Sequence, residues 1–148
     1  MNNNDVYSMV CEFVNKYPFT IAFRLSKHAK VIEKHLNPGE EVLYAFPAQK
    51  NPSSFDIFST CIVALTNKRI LIGQKRVLPG YNLNSISIDL FNDFQVYKRL
   101  IFGRLEIDTV KEVVQISNLG PKSLVEIETN LSEYLLKQKP KVLNEMKN

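Results

Sequence analysis

The sequence predicts an α+β fold: two N-terminal helices, then about seven short antiparallel strands forming a β-sandwich or partly open barrel, capped by a C-terminal helix. Three observations predict it. Apolar residues recur at helical spacing before residue 37, they fall into short turn-bounded runs between 40 and 117, and helical spacing returns after 118. The 148 residues, 45% hydrophobic and 23% charged, fit a single domain that buries a core without disulfide or metal staples.

Residues 5–17 carry Val6, Val10, Phe13 and Tyr17 on one helical face, with Met9 and Val14 beside them. Pro18 interrupts this helix. A second is expected from Thr20 to Leu36, with Ile21, Leu25, Ala29, Ile32 and Leu36 as its apolar stripe. Arg24, Lys27, Lys30 and Lys34 lie on the opposite side, with His28 and His35 at the flank. Asn37-Pro38-Gly39 ends the helix, because proline cannot continue it and glycine suits the turn that follows.

The β region opens with Val42–Phe46, closed by Pro47 and followed by a loop over Gln49–Ser54. Phe55–Leu65 is the next strand. Phe55, Ile57, Cys61, Val63 and Leu65 share one face, and Phe58, Ile62 and Ala64 the other. Apolar residues on both faces place this strand centrally or under a helix. Thr66-Asn67-Lys68 turns into a strand over Arg69–Gln74, so Thr60–Lys75 is the hairpin on which the sheet is organised. Leu78–Tyr81 reads as a turn, Ser85–Leu90 as a half-buried strand, and Asn92-Asp93 as another turn. Phe94–Lys98, Leu100–Val110 with a bend or bulge at Gly103, and Val113–Ser117 complete the strands. The last helix runs to Lys137 on the stripe Leu124, Ile127, Leu131, Tyr134 and Leu135. Ser123 and Glu126 fit a capping box, with a start at Pro121 as the alternative.

The net charge of +4 permits contact with an anionic surface without requiring it. No basic, then apolar, leader opens the chain, and no uncharged stretch reaches the ~18 residues of a membrane span, so a cytoplasmic location is expected. Cys11 and Cys61 sit among apolar residues without CxxC spacing and are expected to be small buried hydrophobes. His28 and His35 are seven positions apart on one helix, roughly 10 Å, too far to share one metal ion. There is no HExxH, no G-x-S-x-G and no glycine-rich phosphate loop, so neither catalysis nor a cofactor nor a metal is expected. Glu106, Asp108 and Glu112 fit a solvated strand face. Tyr97–Arg104 interleaves aromatic and basic residues, but it does not match the RNA-recognition strand, so nucleic acid is not the expected partner.

Three segments carry a resemblance. Leu36-Asn37-Pro38-Gly39-Glu40-Glu41-Val42, then Val63-Ala64-Leu65-Thr66-Asn67-Lys68-Arg69-Ile70-Leu71-Ile72, then Phe102-Gly103-Arg104-Leu105-Glu106-Ile107 resemble, in that order, the bacterial pleckstrin-homology (PH)-like family of the YokE type. The likeness covers about Leu36 to Leu136. It implies a PH-like domain at 37–137, a helical extension at 1–36 and a polar tail at 138–148. The helices are expected either on their own core or on a neighbour. The resemblance implies a non-catalytic interaction module for protein partners, copies of itself included. The alternative is a peripheral module that binds a membrane or anionic lipid through its basic N-terminal helix; an unrecognised enzyme comes third. No small-molecule substrate is inferred. The expected contacts are Arg24, Lys27, Lys30, Lys34, Lys68 and Arg69. Phosphoinositide-binding relatives cluster cations at the first strand–strand loop, where this chain has Lys50 alone, so that property is not carried over. Thr66–Arg69 is expected to serve first as a turn that fixes register.

Overall fold

A computed structural model describes residues 5–20, 22–50 and 59–148. Helix α1 (Val6–Lys16) opens behind Asp5, whose carboxylate accepts the Ser8 N–H at 3.2 Å and caps the first turn. Helix α2 (Leu25–Glu33) leads into strands β1 (Val42–Gln49), β2 (Thr60–Thr66), β3 (Arg69–Lys75) and β4 (Tyr81–Ser87). A 3-10 turn over Ile88–Leu90 passes the chain to β5 (Phe91–Tyr97), β6 (Gly103–Thr109) and β7 (Val113–Leu119), and α3 (Pro121–Lys147) closes the order. The seven strands make one antiparallel sheet, ordered β4-β3-β2-β1-β7-β6-β5. Among the described residues β1 and β7 pair at Gln49 and Ser117, so the sheet is described as two leaves joined at a corner. This is the α+β architecture expected, with the sheet left open at β4 and β5.

Every residue of β2 is buried, and its alternation serves two cores. Cys61, Val63 and Leu65 face the interior between the leaves, with Phe46, Phe91, Leu105, Ile107 and Ile116, and with Leu124, Ile127 and Leu131 of α3. Ile62 and Ala64 face the other side, against Val6 and Val10 of α1 and Ala29 and Ile32 of α2. The N-terminal helices therefore pack on their own sheet. Burying each such aliphatic side chain contributes about 1.5–3 kcal/mol. Gly73 lets α2 come close, since a Cβ there would stand 2.7 Å from Ile32 Cγ1. Burial also pushes the Cys61 thiol up to about 12, while Cys11 is half-buried.

Several boundaries differ from expectation, each for a local reason. The second helix starts at Leu25, not Thr20, because Arg24 takes a left-handed backbone with φ 56°. It ends at Glu33, short of Leu36. Pro47 does not close β1. It lies opposite Ile62 within the strand, on a stretch where β7 forms no ladder, so a missing N–H is tolerated. Tyr81 begins β4 rather than ending a turn. That strand stops at Ser87, where Ile88 swings into the 3-10 turn and its N–H reaches the Lys68 carbonyl at 3.4 Å. β5 begins at Phe91 and passes Asn92-Asp93 as a bulge rather than a turn. β6 begins only at Gly103, which leaves Leu100 and Ile101 on the connecting turn. Ser123 forms no capping box: its hydroxyl donates to the Gly120 carbonyl at 2.8 Å, and Pro121 opens the helix at its first position. α3 continues through Pro140 to Lys147 instead of stopping at Lys137. Lys139 Nζ donates to the Phe91 carbonyl at 2.6 Å and Val142 packs on the core, which holds this last stretch down. The expected roles of Ile21, the loop at 51–54, and Phe55, Ile57 and Phe58 lie outside the described residues.

Candidate functional site

The two best-marked sequence segments, 36–42 and 63–72, meet in space at Glu40. Its carboxylate is almost wholly buried, and four donors converge on it. Arg69 Nε donates to Oε1 at 2.9 Å and Nη2 to Oε2 at 3.1 Å, while Thr66 Oγ1 stands 2.7 Å from Oε1 and the Asn37 N–H 2.9 Å from Oε2. Burial raises the Glu40 pKa, but Arg69, the Asn37 N–H and the Thr66 hydroxyl lower it more, leaving it below the ordinary carboxylate value. Arg69 also donates to the His35 carbonyl at 2.7 Å and to Ser85 Oγ at 3.0 Å. Thr66 Oγ1 accepts the N–H groups of Lys68 and Arg69 at 3.1 and 3.0 Å, and Asn67 exchanges bonds with the Glu41 backbone at 2.9 and 3.0 Å. Arg69 thus binds the end of α2, the approach to β1, β3 and β4 together. Lys68 projects from the turn with its Nζ 3.4 Å from Glu145, an exposed pair that contributes little.

The other four expected contacts lie elsewhere. Lys27, Lys30 and Lys34 are exposed along the outer side of α2. The stripe beneath them, including Ala29, Val31 and Ile32, is buried against the sheet. Arg24 stands apart at the start of the helix, its guanidinium within 3.4 Å of the Lys75 and Arg76 carbonyls at the end of β3. Next to it, His28 is buried and accepts the Lys75 N–H at Nδ1, 2.8 Å away. Burial, helped by the Arg24 charge, lowers its pKa to about 4, so the ring is neutral at pH 7. His35 takes a different role: Nδ1 donates to the Val31 carbonyl at 2.6 Å, and Nε2 is hydrogen-bonded to the Tyr81 hydroxyl at 3.0 Å. Arg69 is committed to Glu40 and to the His35 carbonyl, next to Lys34, and Arg24 to carbonyls at the end of β3, whereas Lys27, Lys30 and Lys34 remain exposed.

The edge of β4 is a feature that the sequence reading missed. Tyr81-Asn82-Leu83-Asn84-Ser85-Ile86-Ser87 contains no charge and no proline. Edge strands are ordinarily blunted by one or the other. Its side chains are drawn toward neighbours: Asn82 Nδ2 donates to Gln74 at 3.2 Å, and Asn84 Oδ1 accepts from Lys50 at 2.8 Å. Among the described residues its outer backbone side has no strand partner. The opposite edge, β5, is broken by a bulge between Phe91 and Asp93 and carries that aspartate. The missing charge along 81–87 was visible in the sequence, but its polar residues resemble those of a turn.

An antiparallel sheet of two leaves, with a C-terminal helix packed into the interior between them, defines a PH-like module. The chain belongs to the bacterial PH domain family, whose model matches residues 36–133. It is similar in fold to a pleckstrin-homology domain from Shewanella amazonensis, with a TM-score of 0.54, 15% identity, and coverage of 83% of this chain and 98% of that one. It is also similar to a duf1696 family protein with a pleckstrin-homology domain from Shewanella loihica, with a TM-score of 0.50, 14% identity, and coverage of 76% and 98%. No curated protein matches the chain. PH-like modules generally mediate protein or lipid interactions and are as a rule non-catalytic. Among the described residues no helix is long and apolar enough to cross a membrane.

Proposed function

We propose that the chain is a non-catalytic interaction module that receives a strand from a protein partner, a second copy of itself included, along the outer edge of β4. One observation carries this: β4 is a seven-residue edge strand with neither charge nor proline, in a sheet whose other edge is bulged and acidic. An added strand satisfies the edge N–H and C=O groups, and the exposed Tyr81, Asn82, Ser85 and Ser87 give it side chains to read. The test is affinity capture from a native lysate with the wild type and with N82K/S87K, which charges the edge without touching the core. A protein retained by the wild type and lost from the variant supports the proposal. Equal capture by both, together with a wild-type monomer by light scattering, removes it.

A second reading, attachment to an anionic surface, is favoured by the exposed row Lys27, Lys30 and Lys34 on α2, with Arg24 at its start. It differs from the amphipathic-helix form of that idea, because the apolar stripe of α2 is already used against the sheet. On this reading the helix contributes charge alone, and binding falls steeply with salt.

A further inference from the structure

Helix α2 runs along the length of β4. At its start, Arg24 holds the Lys75 and Arg76 carbonyls and His28 accepts the Lys75 N–H, and Lys75 is the ladder partner of Tyr81. At its end, the His35 carbonyl accepts from Arg69, the ladder partner of Ser87, and the same guanidinium reaches Ser85 Oγ. His35 is bonded to the Tyr81 hydroxyl, and the two rings pack with centroids 4.8 Å apart. The helix thus borders the strand whose outer side has no strand partner among the described residues.

One stripe of the helix turns to this side. Arg24, Lys27, His28, Val31, Lys34 and His35 follow its three- and four-residue steps. His28 and Val31 form the buried margin of the stripe, and Lys27 and Lys34 the exposed one, with Lys30 beside them. No acid offsets these cations. The sequence holds no carboxylate between Glu12 and Glu33 or between Asp56 and Asp89, so β2, β3 and β4 contain none. Glu33 turns away, toward the Tyr7 N–H of α1 at 3.3 Å. At the start of β4 the exposed Arg76 and the half-buried Lys75 extend the basic margin. A neutral strand edge therefore lies beside a row of cations that carries no internal counter-charge.

We propose that the strand received at β4 is an acidic, extended segment of a protein partner, with alternate Asp or Glu side chains on the α2 side. Its backbone pairs with the outer edge of β4, and its carboxylates meet Lys27, Lys34 and the Lys75-Arg76 turn. Lys27 and Lys34 stand roughly 10 Å apart along the helix. Side chains on one face of a strand recur about every 7 Å, so successive acids come within reach of the long lysine side chains. A second copy of this chain is a poor occupant. Antiparallel pairing of two β4 strands would bring Lys75 and Arg76 of one copy to Lys68 and Arg69 of the other, like charge against like. A membrane or a nucleic acid would satisfy the charge but offers no backbone to the edge, and the Tyr81 ring is taken by His35. The proposal rests on the β4 reading above and names the chemistry of the partner.

The experiment uses labelled peptides of one length that alternate valine with glutamate, with glutamine or with lysine. Fluorescence anisotropy reads their binding, and amide exchange reads the protection of 81–87. The wild type binds the glutamate peptide most tightly at low salt, and exchange over 81–87 slows. K27Q/K34Q loses about three- to tenfold of that affinity and keeps its affinity for the glutamine peptide. K137Q/K141Q, which removes the same charge from α3 on the other side of the sheet, leaves both unchanged. The four lysines are exposed, and an unchanged melting temperature verifies the variants. Glutamate and glutamine peptides that slow exchange over 81–87 equally overturn the acidic preference and leave the edge reading standing. A glutamate peptide that binds without slowing that exchange overturns the proposal and leaves α2 a charged surface alone. Equal losses in the two lysine variants overturn the assignment to α2. If no peptide binds, the proposal falls, and lysate capture with N82K/S87K judges the edge reading separately. Phosphatidylglycerol vesicles that bind the wild type where the glutamate peptide does not reassign the row to a membrane and also overturn the proposal.

Discussion

Arg69 grips both oxygens of Glu40, with Nε 2.9 Å from Oε1 and Nη2 3.1 Å from Oε2, across 29 positions of sequence. This pair joins the Pro38-Gly39 turn to the Thr66–Arg69 turn, and it sits where the polypeptide leaves the helical layer for the sheet. R69A leaves a buried carboxylate without its counter-charge and is expected to cost about 3–5 kcal/mol in urea unfolding. The pair also gives an acid signature. Glu40 titrates below its ordinary value, so its contribution is present above the unfolded-state pKa and is lost as pH falls through the folded one. E40Q is expected to flatten that part of the acid-unfolding curve.

His28 predicts a second pH window. Its folded pKa of about 4 lies below the ordinary 6.5, so the unfolded chain takes up the proton first as pH falls. Stability is full above about 6.5 and declines between there and about 4. H28N keeps an acceptor for the Lys75 N–H and removes the titration. The difference in urea midpoint between pH 7 and pH 4.5 should shrink in this variant by on the order of 1–3 kcal/mol of stability.

Gly103 predicts a packing failure. A Cβ at this position would overlap Leu124 Cδ1 of α3 and the Tyr97 backbone oxygen of β5. The backbone cannot yield as a side chain would. G103A is expected to destabilise by about 2–3 kcal/mol in thermal melts, more than an alanine at an exposed strand position.

Pro140 stands inside α3 and removes one helical hydrogen bond. P140A is expected to stabilise the protein by on the order of 1–3 kcal/mol and to strengthen the helical circular dichroism signal. Truncation after Lys137 removes the Lys139–Phe91 bond and the Val142 contact, and should lower the melting temperature while leaving the sheet spectrum intact.

Where hydrophobic periodicity carried the information, the sequence was a good guide. Cys61, Val63 and Leu65 against Ile62 and Ala64 showed that this strand needs cover on both faces, and the two cores supply it. The stripes of α1 and α3 were equally plain. Backbone events at residues without a distinctive propensity were not. Arginine is a good helix former, so nothing in Arg24 announces a positive φ. Pro47 read as a stop, and 138–148 as a polar tail, because the sequence does not show which side of a strand lacks a ladder, or that the end of the last helix is tied to Phe91. The Glu40–Arg69 pair was hidden for another reason: each residue alone reads as a solvated charge. Only the meeting of the two turns makes them partners.

The single β1–β7 pair has a consequence for motion. With one rung between the leaves among the described residues, much of their coupling passes through side chains such as Phe46, Phe91 and Ile116. Amide exchange should resolve two protection classes, with the β1–β4 leaf, backed by α1 and α2, opening more rarely than β5–β7. Trimming Phe91 should widen that gap without melting either leaf first.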